Sequence, residues 1–357
     1  MKGVYFAAVG SVLLLALLAG CTKSVSGVAP EWETANPVVA LPESPLGIAS
    51  RLDELTEPPT PARVRLGRWL FYDRRLSADG TIACATCHVP AHAFSERTSV
   101  STGIRGQKGG RKAPSFVNAA WTLYPHFFWD GRAASLEGQA LGPIQNPIEM
   151  GNTLENMIAT LDEIDAYARY FEEAFGTPEV TPERVAKAIA DYERTRLSGN
   201  AAWDRWRSGR DEHAVSQSVK QGHELFFGKG GCNQCHLGQN FTDSLFHNLG
   251  IGRDATGKTF TDRGRYEVSG KDEDRGAFKT PTLRDVTRHA PYMHDGSIPT
   301  LRGVVEHYNK GGNANPWLDP KMKPLNLTDE EVDALVAFMQ ALEGEGYQDP
   351  PPAAFPR

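Results

Sequence analysis

The chain has 357 residues, with 38 Lys+Arg against 44 Asp+Glu for a formal net charge of −6, and 40% of it is hydrophobic. That composition excludes wholesale disorder, and at roughly 150 residues per domain the length fits two separate cores. The mild acidic balance has no Lys/Arg stripe to release counterions from phosphates, so no nucleic-acid partner is expected.

In chain order, residues 1–20 read as an export signal, with Lys2 followed by an apolar run that is too short and wrongly flanked to span a membrane. Leu18-Ala19-Gly20-Cys21 resembles the lipobox of bacterial lipoproteins, in which the cysteine thiol carries lipid. Cys21 is then the membrane anchor. Thr22, where an aspartate would hint at inner-membrane retention, suggests an outer-membrane, periplasm-facing location. Residues 21–45 are rich in Pro, Ser, Val and Thr without a period, as in a tether. In residues 61–77, Val64, Leu66, Leu70 and Phe71 form an approximately helical stripe. Residues 153–195 are helical with a break at Gly176/Pro178. The run 218–227 is amphipathic and stops at Gly228-Lys229-Gly230-Gly231. Near the end, Thr328 caps a helix with acids in its first turn and Val332, Leu335, Val336 and Met339 on one face.

Two of these helices lead into a shared motif. Cys84-Ala85-Thr86-Cys87-His88 and Cys232-Asn233-Gln234-Cys235-His236 are both Cys-x-x-Cys-His. Two thiols one turn apart can form thioethers to both vinyl groups of one porphyrin, and the following histidine reaches its iron. A redox dithiol or four-cysteine zinc site would use paired cysteines but needs no histidine after each pair, and an oxidising compartment favours haem. The sequence therefore predicts two covalently bound c-type haems, on Cys84, Cys87 and His88 and on Cys232, Cys235 and His236. Long alternating strands are absent. The expected fold is mainly α: two cytochrome c-like helical domains at 46–205 and 206–345, haems facing the interface, then a tail at 346–357.

Further blocks narrow the reading. Phe128-Trp129-Asp130-Gly131-Arg132, Gln139, the run GPIQNPIEM at 142–150, Thr280-Pro281-Thr282-Leu283-Arg284-Asp285 and Ala290-Pro291-Tyr292-Met293-His294-Asp295-Gly296 resemble the bacterial dihaem cytochrome c peroxidases and their relative MauG. The likeness runs from about residue 60 to 342. It implies an oxidoreductase that reduces hydrogen peroxide with electrons from a small donor protein, a cytochrome c or cupredoxin. Electrons would enter at the haem of His236 and react at that of His88. Glu149 falls on the distal acid/base, which moves a proton between the peroxide oxygens. Gln139 matches a pocket amide and Trp129 the relay between the haems.

Two departures bear on the subtype. The peroxidases carry a histidine in the loop after the first motif that caps the resting catalytic iron. Residues 98–103, TSVSTG, hold none, with His92 and His126 as spares. The peroxidases also place a methionine ligand fourteen residues after the histidine of the Pro-Tyr-x-His block, where this chain, as MauG does, has a tyrosine, Tyr308. Such a phenolate ligand lowers the haem's potential. Met322 is its rival, with Met293, His294 and His307 behind.

Gly230 stands where MauG has the tryptophan through which it oxidises a protein substrate. Trp203 and Trp206 read as packing or as alternative relays. Lys112 replaces an asparagine of the family's interdomain calcium site, leaving calcium only the backbone carbonyls around His289 and Pro291. Two other readings stay open: a MauG-like enzyme that oxidises a protein or small molecule through a bis-ferryl haem pair, and a non-catalytic dihaem electron carrier, against which Glu149 and Gln139 argue. The sequence does not set the oligomeric state.

Overall fold

The computed structural model describes Met1, Gly3 and residues 29–357, apart from residues 123, 125 and 255–258. The rest of the export signal, and Cys21, lie outside the described residues. Among the described residues no helix is long and apolar enough to cross a membrane.

Helices begin where the chain supplies a cap. After the short α1 (Glu31–Ala35), Thr60 accepts from the Arg63 N–H and Pro61 opens α2 (Pro61–Tyr72). The turn α3 (Cys84–Cys87) follows, and Ser135 caps α4 (Leu136–Gln145). Thr153 caps α5 (Leu154–Asp162), which leads into α6 (Asp165–Phe175), and Thr181 caps α7 (Pro182–Arg194). After α8 (Ala202–Arg207), Ser216 caps α9 (Gln217–Phe227). The short helix α10 (Tyr266–Ser269) precedes α11 (Leu301–Asn309), and Thr328 and Glu331 form a capping box on α12 (Asp329–Gln340). These hydroxyls satisfy backbone donors that the first helical turn leaves open. Beyond the expected break after Phe175, the helical stretch 153–195 breaks again at Glu163 and Ile164, where Ile164 leaves helical backbone angles. The strands are short: β1 (Phe246–Asn248) pairs antiparallel with β2 (Ala277–Lys279).

Two cores result. One gathers Trp69, Phe71, Phe94, Tyr167, Phe171 and Tyr192, and the other Phe226, Phe241, Leu335 and Phe338. In each, the helix before a Cys-x-x-Cys-His motif crosses a later helix at a glycine. A Cβ on Gly67 would lie 1.8 Å from the Ala188 carbonyl oxygen, and one on Gly222 would lie 1.9 Å from that of Ala334. Only glycine lets α2 meet α7, and α9 meet α12, this closely.

The halves are pinned by Arg284, which donates to both carboxylate oxygens of Asp204 on α8 at 2.6 and 3.0 Å and to the Gly47 carbonyl. Both charged side chains are fully buried. Two segments expected to be loose are docked. In the tether, Trp32 donates from its ring to the Tyr170 hydroxyl at 2.7 Å, and the Asn36 amide donates to the Arg65 carbonyl. An indole and an amide with such partners bury more favourably than they hydrate. In the tail, Tyr347 is 1% exposed, Trp69 donates to the Ala354 carbonyl, and Asp349 takes bonds from Arg68 and Tyr192. Residues 347–356 thus strap onto the first core.

Candidate functional site

Each Cys-x-x-Cys-His motif forms one tight turn. The His88 N–H donates to the Cys84 carbonyl and the His236 N–H to that of Cys232, both at 2.9 Å. The imidazoles are then aimed in the same way. His88 Nδ1 donates to the Phe94 carbonyl and His236 Nδ1 to the Phe241 carbonyl, each at 2.9 Å. A carbonyl only accepts, so the proton sits on Nδ1 and Nε2 is left as a lone-pair donor. Both acceptors belong to buried phenylalanines with left-handed backbones, φ +58° at Phe94 and +50° at Phe241. Burial pulls the pKa of both histidines down, which keeps them neutral.

Around His88 lies a cavity of 610 Å³. Its walls include Cys84, Cys87, Phe116, Gln139 and Glu149 from the first half, and Asn240, Ser244 and Lys279 from the second, so it opens on the interface. Glu149 is held from two sides: Asn146 Nδ2 donates to its Oε1 at 2.7 Å, and the Ile104 N–H donates to its carbonyl at 2.8 Å. Gly103 closes the support, since a Cβ there would lie 2.0 Å from the Ile148 carbonyl oxygen. Burial pushes the Glu149 carboxyl above its ordinary range, against the pull of Arg132 and the Asn146 bond. His92 and His126 are not among the residues that line this cavity.

Around His236 lies a second cavity, of 190 Å³, walled by Cys232, Cys235, Tyr308, Met322, Met293, His294 and Met339. Tyr308 is half-buried, and desolvation raises its hydroxyl pKa. Trp129, Lys279, Thr280 and Pro281 line both cavities. The Trp129 ring N–H donates to the Lys112 carbonyl at 2.8 Å and its ring meets that of His294 edge-on at 6.5 Å.

Each cavity fits a haem. It offers two thiols and an aimed imidazole on one side, together with orphaned buried polar atoms: Asn240 Oδ1 and Ser244 Oγ in the first, His294 Nε2 in the second. Lys279, whose ammonium donates to the His126 carbonyl, is a half-buried amine in the walls of both cavities, available to a haem carboxylate. The two cysteine pairs line separate cavities, which removes a four-cysteine zinc site. Beside the second motif, Cys235, Asp243 and His247 lie within reach of one another. His247 donates to Asp319 at 2.6 Å and to Asp243 at 2.9 Å. Burial opposes its protonation, but these two bonds, with a smaller contribution from the Cys235 thiol, outweigh it and hold the imidazole up at about 11.

A sequence profile described as "Di-haem cytochrome c peroxidase" matches residues 61–212, and one described as "Cytochrome c" matches residues 219–343. The chain is 41% identical over 291 residues to the methylamine utilization protein MauG of Methylorubrum extorquens, covering 81% of this chain and 80% of that protein. It is 33% identical to the cytochrome c551 peroxidase of Nitrosomonas europaea, covering 94% and 91%. The chain belongs to the dihaem cytochrome c peroxidase and MauG family. A crystal structure of a MauG-like protein associated with microbial copper homeostasis superposes with a TM-score of 0.76 at 29% identity, covering 90% of this chain and 97% of that one. The diheme peroxidase BthA of Burkholderia thailandensis shares the fold, with a TM-score of 0.71 at 24% identity over 83% and 89% of the two chains. The chain is thus an oxidoreductase of two cytochrome c-like regions, and the family's cofactor is haem iron.

Of the residues singled out in the sequence, the fold gathers Cys84, Cys87, His88, Gln139 and Glu149 around one cavity and Cys232, Cys235, His236, Tyr308 and Met322 around the other, with Trp129 between. Trp203 and Trp206 pack against the second core. The Lys112 side chain is 4% exposed and donates to the Glu96 carbonyl, offering no oxygen to a calcium ion. Sequence reasoning missed Asn146, although an asparagine three residues before a carboxylate is a local signal. It also missed the Phe94 and Phe241 carbonyls and the buried Glu193, which carry none.

Proposed function

We propose that this chain is a dihaem c-type peroxidase that reduces hydrogen peroxide to water with electrons from a small redox protein, a cytochrome c or cupredoxin. Electrons are taken in at the C-terminal haem and used at the N-terminal one. The observation that carries this reading is Glu149, held by Asn146 beside Gln139 in the cavity that His88 also lines. Cys84, Cys87 and His88 would hold one haem covalently, and Cys232, Cys235 and His236 the other, with Tyr308 as the second haem's further ligand. Bound haem supplies an iron that takes peroxide and exchanges electrons. Glu149 accepts the proton from one peroxide oxygen and returns it to the other, a role suited to a carboxyl whose affinity for protons burial has raised. Gln139, in the wall of the first cavity, would orient the peroxide, and Trp129, in both cavity walls, would relay electrons between the groups held there.

A MauG-like oxidation of a protein or small molecule is the second reading, favoured by the phenol of Tyr308 in the wall of the second cavity. Steady-state peroxide reduction with reduced cytochrome c or a cupredoxin, beside trials with candidate protein substrates, separates the two. Turnover with a donor protein supports the peroxidase; peroxide-driven oxidation of a protein substrate without donor turnover supports the alternative. Neither activity, with both haems present, leaves an electron carrier.

The same proposal sets the protein in the periplasm, lipid-anchored at Cys21 and by preference on the outer membrane. Cys21→Ser should release it from membranes into the soluble fraction.

A further inference from the structure

The reduction of peroxide consumes more than Glu149 can supply. In H2O2 + 2 e− + 2 H+ → 2 H2O the O–O bond breaks and two new O–H bonds form with protons the peroxide does not carry. Glu149, moving a proton between the two peroxide oxygens, contributes no net proton. The electrons come from the donor protein, so the two protons need their own way into a buried cavity.

Glu193 is the one further carboxylate among the described residues that line the first cavity, apart from Asp130 and Asp262, which are tied to Arg111. It is 4% exposed, and its Oε2 is buried with no hydrogen-bond partner. A structural acid in such a place would be paired, since an unpaired buried polar atom costs about 1–3 kcal/mol. Glu193 lies in the last turn of α7, which packs against α4, the helix that carries Gln139. The next residue, Arg194, reaches the surface side and pairs with Glu137 of α4 at 2.8 Å. The side chain thus stands between a partly exposed ion cluster and the cavity.

We infer that Glu193 is the proton-relay residue of the first cavity, passing to it from the surface the protons that peroxide reduction consumes. This inference rests on the peroxidase reading. The titratable groups that act on Glu193 are Arg194 on its own helix and Glu137 on α4, with the Cys84 thiol of α3 on the cavity side; Arg194 and Glu137 belong to an ion cluster with Lys187 and Asp191, the latter also paired with Arg63 of α2. Burial raises the Glu193 carboxyl most, Arg194 pulls it back, and Glu137 raises it again, to about 8. A carboxyl so balanced carries a proton at neutral pH and can release it.

The test uses haem-loaded full-length protein and two variants, Glu193→Gln, which keeps the shape but cannot release a proton, and Glu193→Asp. In rapid mixing, the first reaction of the resting ferric enzyme with peroxide should be unchanged in Glu193→Gln. Multiple turnover with saturating donor should fall about 100-fold, the lower end for a lost proton-transfer group, with a larger solvent deuterium effect. Glu149→Gln should instead slow the first reaction itself, and turnover with it. Infrared spectra of the wild type should hold a protonated-carboxyl band at neutral pH that fades as pH rises through about 8 and is missing in Glu193→Gln.

Turnover and pH profile of Glu193→Gln matching the wild type would overturn the inference, and so would a wild type without that band. If Glu193→Gln fails to load haem, the wild-type infrared titration and Glu193→Asp, expected to keep partial turnover, decide in its place. A wild type that reduces no peroxide removes the peroxidase reading itself; one that turns over while Glu193→Gln stays unimpaired removes the inference alone.

Discussion

Replacing Gly222 by alanine probes the crossing on which the second haem cavity depends. The added methyl would lie 1.9 Å from the Ala334 carbonyl oxygen, 2.6 Å from its carbon and 2.8 Å from Phe338 Cβ, where ordinary contact begins at 3.4 Å. The first two obstacles are backbone, so no rotamer change relieves them. Either α9 and α12 separate or the helices bend. Overpacking of this kind costs about 3 kcal/mol, the upper end of the usual range, and alanine returns ~1 kcal/mol in helix propensity. A net loss of about 2 kcal/mol remains, or roughly 8 °C in the melting temperature of a domain this size. Phe226, Leu335 and Met339 line the second cavity from these helices, so absorbance of the second haem should change while that of the first is kept. Thermal unfolding followed by far-ultraviolet circular dichroism and haem absorbance measures both. Gly138→Ala is the control: it sits inside α4 with nothing nearer than Ser135 Oγ at 3.5 Å, and it should hold or gain stability. A Gly222→Ala protein that melts at or above the wild-type temperature would refute the packing argument.

Four further outcomes are expected. Glu149→Gln should leave both haem spectra nearly intact and lower peroxide turnover by about 100-fold or more, read by steady-state kinetics over several pH values. Arg284→Met, which strands the buried Asp204 carboxylate, should cost about 3–5 kcal/mol in denaturant unfolding, and the double variant with Asp204→Leu should recover most of that loss. Tyr347→Ala should cost about 3–5 kcal/mol by emptying a site in the first core. His247 is held at about 11 in the fold against an ordinary value of about 6.5. A raised imidazole pKa stabilises fully below the unfolded value and loses that effect as pH climbs through the folded one. The gap in melting temperature between wild type and His247→Gln should therefore be widest just below pH 6.5 and close toward pH 11.

What the sequence revealed follows from how local each signal is. The Cys-x-x-Cys-His turns and the Thr328 cap are fixed by neighbours within a few residues, and they stand where the pattern put them. Glu149 and Tyr308 were legible only through likeness to known proteins, since nothing near them in the chain separates them from other acids and tyrosines. The Gly67 and Gly222 crossings, the Arg284 pin and the partnerless Glu193 depend on residues tens to hundreds of positions away. Their function exists only once helices meet. Trp32 and Tyr347 were read as parts of a tether and a tail for the same reason: period and composition describe a segment, not the surface waiting for it.

The strap formed by residues 347–356 sets an order of assembly. Trp69, Arg68 and Tyr192 of the first half each complete their hydrogen bonding in this last stretch, so the first half, though translated early, is finished last. Under the proposed export and haem attachment, Cys84 and Cys87 would be presented for attachment long before residues 347–356 arrive. The strap then secures a core whose other parts are already in place. Cutting the chain after residue 345 should accordingly leave haem attachment intact while exposing the first half to proteolysis.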